Sequence, residues 1–341
     1  MIAVALVRRP GFHSTLQDTG RRGYQNIGVP VSGPLDRTSF MLANGVAGND
    51  LHAACLELIG SGPEIEIVAA SARLAVVGGA AQIEILGAGD QVPAGQSLRV
   101  VKGDVVRVRL GGDALCGYLA IEGGFAAPPC LGSLSTYARA GFGGLSGRML
   151  RAGDTLSGYR DDVSMRAELA LRMPVPLAFE EPVRVVLGPQ AEYFTNEAIA
   201  QLLSSTYTIA AASDRMGFRL SGPTLRHKDD YNIVSDGIVA GSIQVPGSGL
   251  PIVLMADAQT AGGYPKIATV IAADLPRLGR RKAGQTVTFQ AVSRAEAETI
   301  RRAEHAALLD LLADLRPADG LDVEALARHN LIGGVIDAGG H

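Results

Sequence analysis

Met255-Ala256-Asp257-Ala258-Gln259-Thr260-Ala261-Gly262-Gly263-Tyr264-Pro265-Lys266 is a stretch dense in groups that can do chemistry. Its carboxylate, amide, hydroxyl and amine follow directly on the apolar run Pro251-Ile252-Val253-Leu254, so they stand where a strand ends and opens into a Gly-Gly loop. Strand ends and the loops beyond them are where binding and catalytic groups concentrate. The same segment, residues 213–266, also holds Ser213-Asp214-Arg215-Met216-Gly217-Phe218-Arg219-Leu220, Ser235-Asp236-Gly237-Ile238 and Ser242-Ile243-Gln244-Val245-Pro246. A structural reading competes for these residues. Asp214 could pair with Arg215 or Arg219 to stabilise the fold, and Gly262-Gly263 could be a tight turn.

A second polar segment spans residues 14–57. Gln17, Asp18, Arg21, Tyr24 and Ser32 are interleaved with glycines instead of alternating with apolar residues, a pattern poor for strand and for helix. It reads as a loop shaped for contact, or as surface turns rich in Gly and Asp. Asp36 doubles as an N-cap for a helix starting at Arg37.

Several classes drop out. Glycine and lysine positions match neither a P-loop nor GxGxxG after a strand, and HExxH and GxSxG are missing. The six histidines do not cluster at ligand spacing, and Cys55, Cys116 and Cys130 form no CxxC, so neither a metal site nor a disulfide framework is expected. With 31 Lys plus Arg against 34 Asp plus Glu, the net charge of −3 argues against nucleic acid or an anionic membrane as partner. The N-terminal Met1-Ile2-Ala3-Val4-Ala5-Leu6-Val7 carries its positive charge behind the apolar run, which argues against a signal peptide, and no apolar stretch reaches membrane-span length. A soluble, reduced, cytoplasmic protein is expected.

The elements that must position these groups are strands. In 341 residues there are 43 Gly and 17 Pro but no Trp, a load that suits short strands and tight turns. From residue 64 to about 160, runs such as Ile65-Glu66-Ile67-Val68, Leu74-Ala75-Val76-Val77, Ile83-Glu84-Ile85-Leu86, Leu98-Arg99-Val100-Val101 and Val105-Val106-Arg107-Val108-Arg109-Leu110 alternate with turns. That is antiparallel hairpin grammar. Residues 166–182, with Pro174, Pro176 and Pro182 and a helix-compatible stretch at 167–170, read as a linker. The expected division is a β domain over 1–165, this linker, a second β domain over 183–293 and a C-terminal helix and tail over 294–341. A short helix is expected after Thr195 or Asn196. Ile300, Ala303, Ala307, Leu308, Leu311, Leu312 and Leu315 form a helical stripe that is either core or a contact between subunits, and the tail through Ile332-Gly333-Gly334-Val335 is a candidate contact. One internal echo, Asp18-Thr19-Gly20-Arg21 with Ser32-Gly33-Pro34 against Asp214-Arg215-Met216-Gly217 with Ser221-Gly222-Pro223, suggests that the two β domains are related.

Thr15-Leu16-Gln17-Asp18-x-Gly20-Arg21-x-Gly23-Tyr24, Ser32-Gly33-Pro34-x-Asp36, Leu56-Glu57, Gly188-Pro189-Gln190, residues 213–220, Gly241-Ser242-Ile243-Gln244-Val245-Pro246 and Thr260-x-Gly262-Gly263-Tyr264-Pro265-Lys266 together resemble the biotin-dependent carboxyltransferase family also called allophanate hydrolase subunit 2. The resemblance covers nearly all of residues 1–293. It implies a mainly β fold of two cyclophilin-like β-barrel domains. It also implies one of three settings: the C-type subunit of an ATP-dependent 5-oxoprolinase, half of a urea carboxylase carboxyltransferase domain, or a related protein under the allophanate hydrolase name. The implied partners are an allophanate hydrolase subunit 1-like protein and, for the first setting, a LamB/YcsF-like subunit. The ATP-grasp domain and biotin acceptor sequence of the wider family are not found in this chain, so ATP would be used by the complex, or carboxybiotin would come from a partner. Some members are described as antagonists of a kinase inhibitor, a non-catalytic alternative. Phe218 stands where Tyr is frequent and Ala258 where Arg is common.

Urea, the ureido ring of biotin and the lactam of 5-oxoproline all present a planar N–H beside a C=O. Activating that unit takes donors that hold the oxygen as charge develops, and an acceptor for the N–H. The expected donors are Lys266, Arg215, Gln259 and the backbone of Gly262 and Gly263, with Asp257 or Asp214 as acceptor. Gln17, Asp18, Arg21, Tyr24, Ser32, Gln244, Thr260 and Tyr264 would bind and orient the substrate, with no metal.

Overall fold

The computed structural model describes residues 1–87, 89–112, 114–173 and 179–318. The expected contact tail at 332–335 and the linker residues Pro174 and Pro176 lie outside them.

The expected hairpins form. A seven-stranded antiparallel sheet runs in the order Phe125–Ala126, Thr155–Gly158, Ile2–Arg9, Glu64–Ile67, Val105–Arg109, Gln82–Ile85, Gln91–Pro93. A five-stranded sheet follows the order His13–Gln17, Cys55–Ile59, Cys116–Ile121, Ser71–Val77, Ser97–Val101. Along its central strands Cys116–Ile121 and Ser71–Val77 the burial is continuous, because both faces are covered. Leu56, Leu58, Leu74, Val76 and Leu119 enter one core with Val4, Ile65 and Val106. Cys55, Ala75, Val77, Cys116 and Tyr118 face the other way, onto Phe40, Met41 and Val46 of helix α1 (Arg37–Ala47), in a core that continues into the second half of the chain.

That second half is one eight-stranded sheet: Thr286–Val287, Tyr207–Ile209, Gly217–Ser221, Ile252–Leu254, Ser242–Gln244, Lys266–Val270, Val183–Leu187, Phe289–Ala291. Its two edge strands are consecutive in sequence, separated by Thr288, whose carbonyl accepts from Val183 N at 2.8 Å. One extended run therefore serves both edges and all but closes the sheet into a barrel, which removes the open edges that invite aggregation.

Helices fall where their caps stand. Asp36 accepts from Ser39 N to start α1, and Thr195 accepts from Ala198 N to start α2 (Asn196–Ser204). A short α3 (Leu275–Gly279) precedes α4 (Arg294–Ala313), which opens on a Ser293–Glu296 capping box. The leucines of the stripe are core, Leu308 being buried and Leu311, Leu312 and Leu315 packing against the shared core, whereas Ala303 and Ala307 are exposed. Gly45 of α1 is the notch that admits the leucines, since a Cβ there would meet Leu312 Cδ2 at 2.1 Å.

Two local expectations are corrected. Residues 167–170 are not helical; Leu169–Ala170 pairs with Arg316–Pro317. The cause is Arg73, fully buried, whose Nε donates to both Glu168 oxygens at 3.0 and 2.9 Å and draws the segment onto the first sheet pair. Residues 14–17 are strand, not loop: their polar side chains are buried with their donors paired, Ser14 Oγ donating to Pro10 O at 2.7 Å and Gln17 Nε2 to Thr136 O at 3.2 Å, while Gln17 Oε1 has no partner among the described residues.

Candidate functional site

Glu57 sits in the strand Cys55–Ile59 between two buried leucines, with no exposed surface. Burying a lone carboxylate costs several kcal/mol, so it must be paired. Its partner comes from the other half of the chain. Arg215 Nη1 donates to Glu57 Oε1, while Nε and Nη2 grip Asp257 at 2.7 and 3.1 Å, and Nη2 also reaches Gly33 O at 2.7 Å. The other Glu57 oxygen accepts from Tyr118 Oη at 2.6 Å and from Leu35 N at 2.8 Å. Beside this network Arg280 forks onto Asp36 at 2.5 and 3.1 Å. Two buried ion networks thus lock the first sheet pair to the barrel.

Residues 31–35 run between the halves, and a cleft opens on either side, Leu35 lining both. The first, about 300 Å³, is lined by Arg22, Gln25 and Ser32 from one half and Ile238, Gln259 and Thr260 from the other. Ser32 is held at φ 59°, in the left-handed region, with its N donating to Ala256 O at 3.1 Å across the boundary. Its Oγ is buried and makes no hydrogen bond. A strained backbone that presents an unsatisfied hydroxyl to a cleft is the pattern of a binding site. On the facing wall Gln259 Nε2 donates to Gln244 Oε1 at 3.3 Å and Gln244 Nε2 to Tyr264 O at 3.3 Å. That chain orients Gln259 so that its own Oε1 is left to accept from a ligand.

The second cleft, about 390 Å³, is lined by His13, Tyr137 and Arg139 and by Asp214, Arg215 and Asp257. Burial holds the His13 imidazole below its ordinary pKa, and its Nδ1 has no partner. The charges of Arg215 and Asp257 are spent on each other and on Glu57. Asp214 does not pair with Arg215 or Arg219; its Oδ1 accepts from Met216 N at 2.8 Å and Gly217 N at 3.3 Å. Asp18 caps its own turn in the same way, from Gly20 N at 2.9 Å, so the sequence echo is a shared local device.

The structure therefore divides the expected residues. Ser32, Gln259 and Thr260 line the first cleft, with Gln244 and Tyr264 behind it. Gly262 lies in a two-stranded ladder, Ala261–Gly262 against Asp236–Gly237, not in a tight turn, and Gly263 O accepts from Ile233 N at 2.8 Å. Lys266 is 3% exposed and lines neither cleft: its Nζ donates to Asp236 Oδ2 at 2.6 Å and Gly237 O at 3.1 Å, pinning that ladder next to Ile238. Tyr24 shapes the turn over Gln25–Ile27, its carbonyl accepting from Ile27 N and Val29 N.

Gln17, Asp18 and Arg21 hold residues 133–144 instead of lining a cleft. Asp18 accepts from Ser133 Oγ, Ser135 Oγ and Leu134 N at 2.5, 2.6 and 2.6 Å. Burial pushes its carboxyl up, but these donors and Gly20 N outweigh burial and keep it below the usual value. The depressed value places the stabilisation above the unfolded pKa near 4, and it is lost as pH falls through the lower folded value. Asp18→Asn is expected to cost about 1–3 kcal/mol at pH 7, since the amide would set a donor against Leu134 N. In urea titrations across pH 7 to 3 the gap to the parent protein should shrink toward the acid end; a gap constant with pH would exclude the carboxylate as its source.

Sequence reasoning missed Arg22, Gln25, Glu57 and Tyr118. Only Glu57 carried a signal, a charge between apolar neighbours in a strand. Among the described residues no group of three or more His, Cys, Asp or Glu could hold a metal ion, and no helix is long and apolar enough to cross a membrane.

Residues 27–291 match the family model for the carboxyltransferase domain, subdomains A and B. The chain is 36% identical over 294 residues to the C-type subunit of 5-oxoprolinase from Haemophilus influenzae, covering 85% of this chain and 91% of that protein. To the same subunit of 5-oxoprolinase from Escherichia coli it is 34% identical over 295 residues, covering 86% and 93%. Among solved structures, the urea amidolyase of K. lactis superposes with a TM-score of 0.81 at 28% identity over 91% of this chain, which spans a fifth (20%) of that enzyme. The urea carboxylase of Kluyveromyces lactis gives 0.81 at 28% identity, over 94% of this chain and 30% of that one.

Proposed function

The chain belongs to the carboxyltransferase domain family of subdomains A and B, and on that premise we propose that it is the C-type subunit of an ATP-dependent 5-oxoprolinase, a hydrolase complex that opens the lactam of 5-oxoproline to glutamate. The observation that carries the choice is coverage: the 5-oxoprolinase relatives are matched over 91% and 93% of their own length, the urea enzymes over a small share of theirs.

The first cleft supplies what a lactam needs. Gln259 Oε1 accepts the ring N–H, and the Ser32 and Thr260 hydroxyls donate to the carbonyl oxygen. Charge that develops on that oxygen then meets donors already in place, with no reorganisation required. The Arg215 network sets the spacing of the two walls, and Lys266 acts through the Asp236–Gly237 ladder as a positioning residue. ATP, used by the assembled complex, supplies the driving force for breaking the amide. The partners are an allophanate hydrolase subunit 1-like protein and a LamB/YcsF-like subunit.

A second reading is a carboxyltransferase taking the carboxyl group from a partner's carboxybiotin to urea or a related amide; the TM-score of 0.81 to urea amidolyase favours it. Reconstitution with the two partner subunits decides. Release of ADP is expected with 5-oxoproline and not with urea. Turnover of urea with a biotin carboxylase and carrier would transfer the chain to the second reading, and a tight complex with a kinase inhibitor but no turnover in any mixture would make it regulatory.

A further inference from the structure

We infer that Arg22, Arg37 and Arg301 form an oxyanion pocket that takes a phosphoryl or carboxylate group. The three arginines line one cavity of about 220 Å³ together with Thr19 and Ser32. They arrive from separate elements: Arg22 from the loop before residue 31, Arg37 from the first turn of α1, Arg301 from the middle of α4. Like charges brought together repel unless something neutralises them. Within the protein the neutralisation is incomplete. Glu304 is the facing carboxylate, and it is already engaged by Arg301 Nη1 at 2.6 Å and Thr38 Oγ1 at 3.3 Å. The Arg22 and Arg37 side chains make no hydrogen bond or ion pair among the described residues, and Arg37 Nε is buried with no acceptor. Burial first, then Arg301 and Arg22, draw the Arg37 guanidinium below its ordinary pKa against the pull of Glu304.

Planar guanidinium forks match the paired oxygens of carboxylates and phosphates. An anion here would satisfy Arg37 Nε, bridge Arg22 and Arg37 and relieve their repulsion with Arg301. The cavity shares Arg22, Ser32 and Leu35 with the first cleft, so the bound anion would sit next to the amide-binding wall.

The test is thermal unfolding of the isolated full-length chain, titrated with inorganic phosphate and separately with acetate, ionic strength being held constant with chloride. A saturable rise in the midpoint is expected, with apparent affinity at least tenfold weaker in Arg22→Gln and in Arg37→Gln. A rise with phosphate identifies a phosphoryl ligand; a rise with acetate alone, lost in the same variants, identifies a carboxylate. In anion-free buffer Arg37→Gln should unfold at or above the temperature of the parent protein, since it removes an unneutralised cation. The inference is overturned by no rise with either anion, by an equal rise with chloride, by a rise that survives in Arg37→Gln, or by a loss of anion-free stability in that variant. None of these readouts involves turnover or partner subunits, so the oxoprolinase reading stands or falls separately.

Discussion

Replacing Arg215 with alanine is expected to destabilise the chain by about 3–5 kcal/mol, the range seen when one partner of a buried ion network is removed. Glu57 has no exposed surface and Asp257 is 6% exposed, so neither carboxylate can recover its lost partner from water. Gly33 O loses its donor as well. Because the network joins strands of the first sheet pair to the barrel, unfolding in urea should shift to lower denaturant, with the two halves less strongly coupled than in the parent protein. Arg215→Met combined with Glu57→Gln and Asp257→Asn removes the charges together and should recover most of the loss, which assigns the damage to unpaired charge rather than lost packing. A loss below about 1 kcal/mol in the alanine variant would show that the network contributes no more than a surface pair does.

Ser32→Gly separates stability from activity. The left-handed backbone costs a serine about 1 kcal/mol that glycine does not bear, and the buried unpartnered hydroxyl adds to that cost. Glycine loses more chain entropy on folding, by a similar amount. The variant should therefore fold with stability equal to or slightly above the parent. In the reconstituted complex its 5-oxoproline-dependent ADP release should fall about 100-fold, the effect of deleting one donor to a developing oxyanion. Unchanged turnover would remove Ser32 from the lactam site, and a marked loss of stability would show that its hydroxyl serves the fold.

The strands of the first half were legible because alternation and turn residues are local: Val105–Arg109 shows its period in the sequence and has the matching burial pattern. Helices α1, α2 and α4 were legible from caps and apolar spacing. Residues 14–17 were not, since Ser14, Thr15 and Gln17 are polar and are buried where acceptors such as Thr136 O, 119 residues from Gln17, take up their donors. Residues 167–170 failed for the same reason, their conformation being set by Arg73 across the fold.

For the site, residue type was readable and role was not. Ser32, Gln259 and Thr260 line one cleft as their polar setting suggested, whereas Asp257, Arg215 and Lys266, the groups best suited to catalysis by type, are buried in ion pairs. A charged side chain announces that it must be neutralised but not by what, because its partner is chosen by topology.

By itself, then, the sequence determined the β class, the starts of α1, α2 and α4 but not of the short uncapped α3, the exclusion of several cofactor motifs and the polar segments from which the candidate site is drawn. Only the tertiary structure decided that Glu57 meets Arg215 across 158 residues, that Ser32 faces Gln259, and that Arg22, Arg37 and Arg301 share one cavity. The physical reason is range: backbone propensity and capping act over a few residues, whereas the pairing of buried charges and the walls of a cleft are fixed by contacts between distant segments that the barrel closure and the shared core bring together.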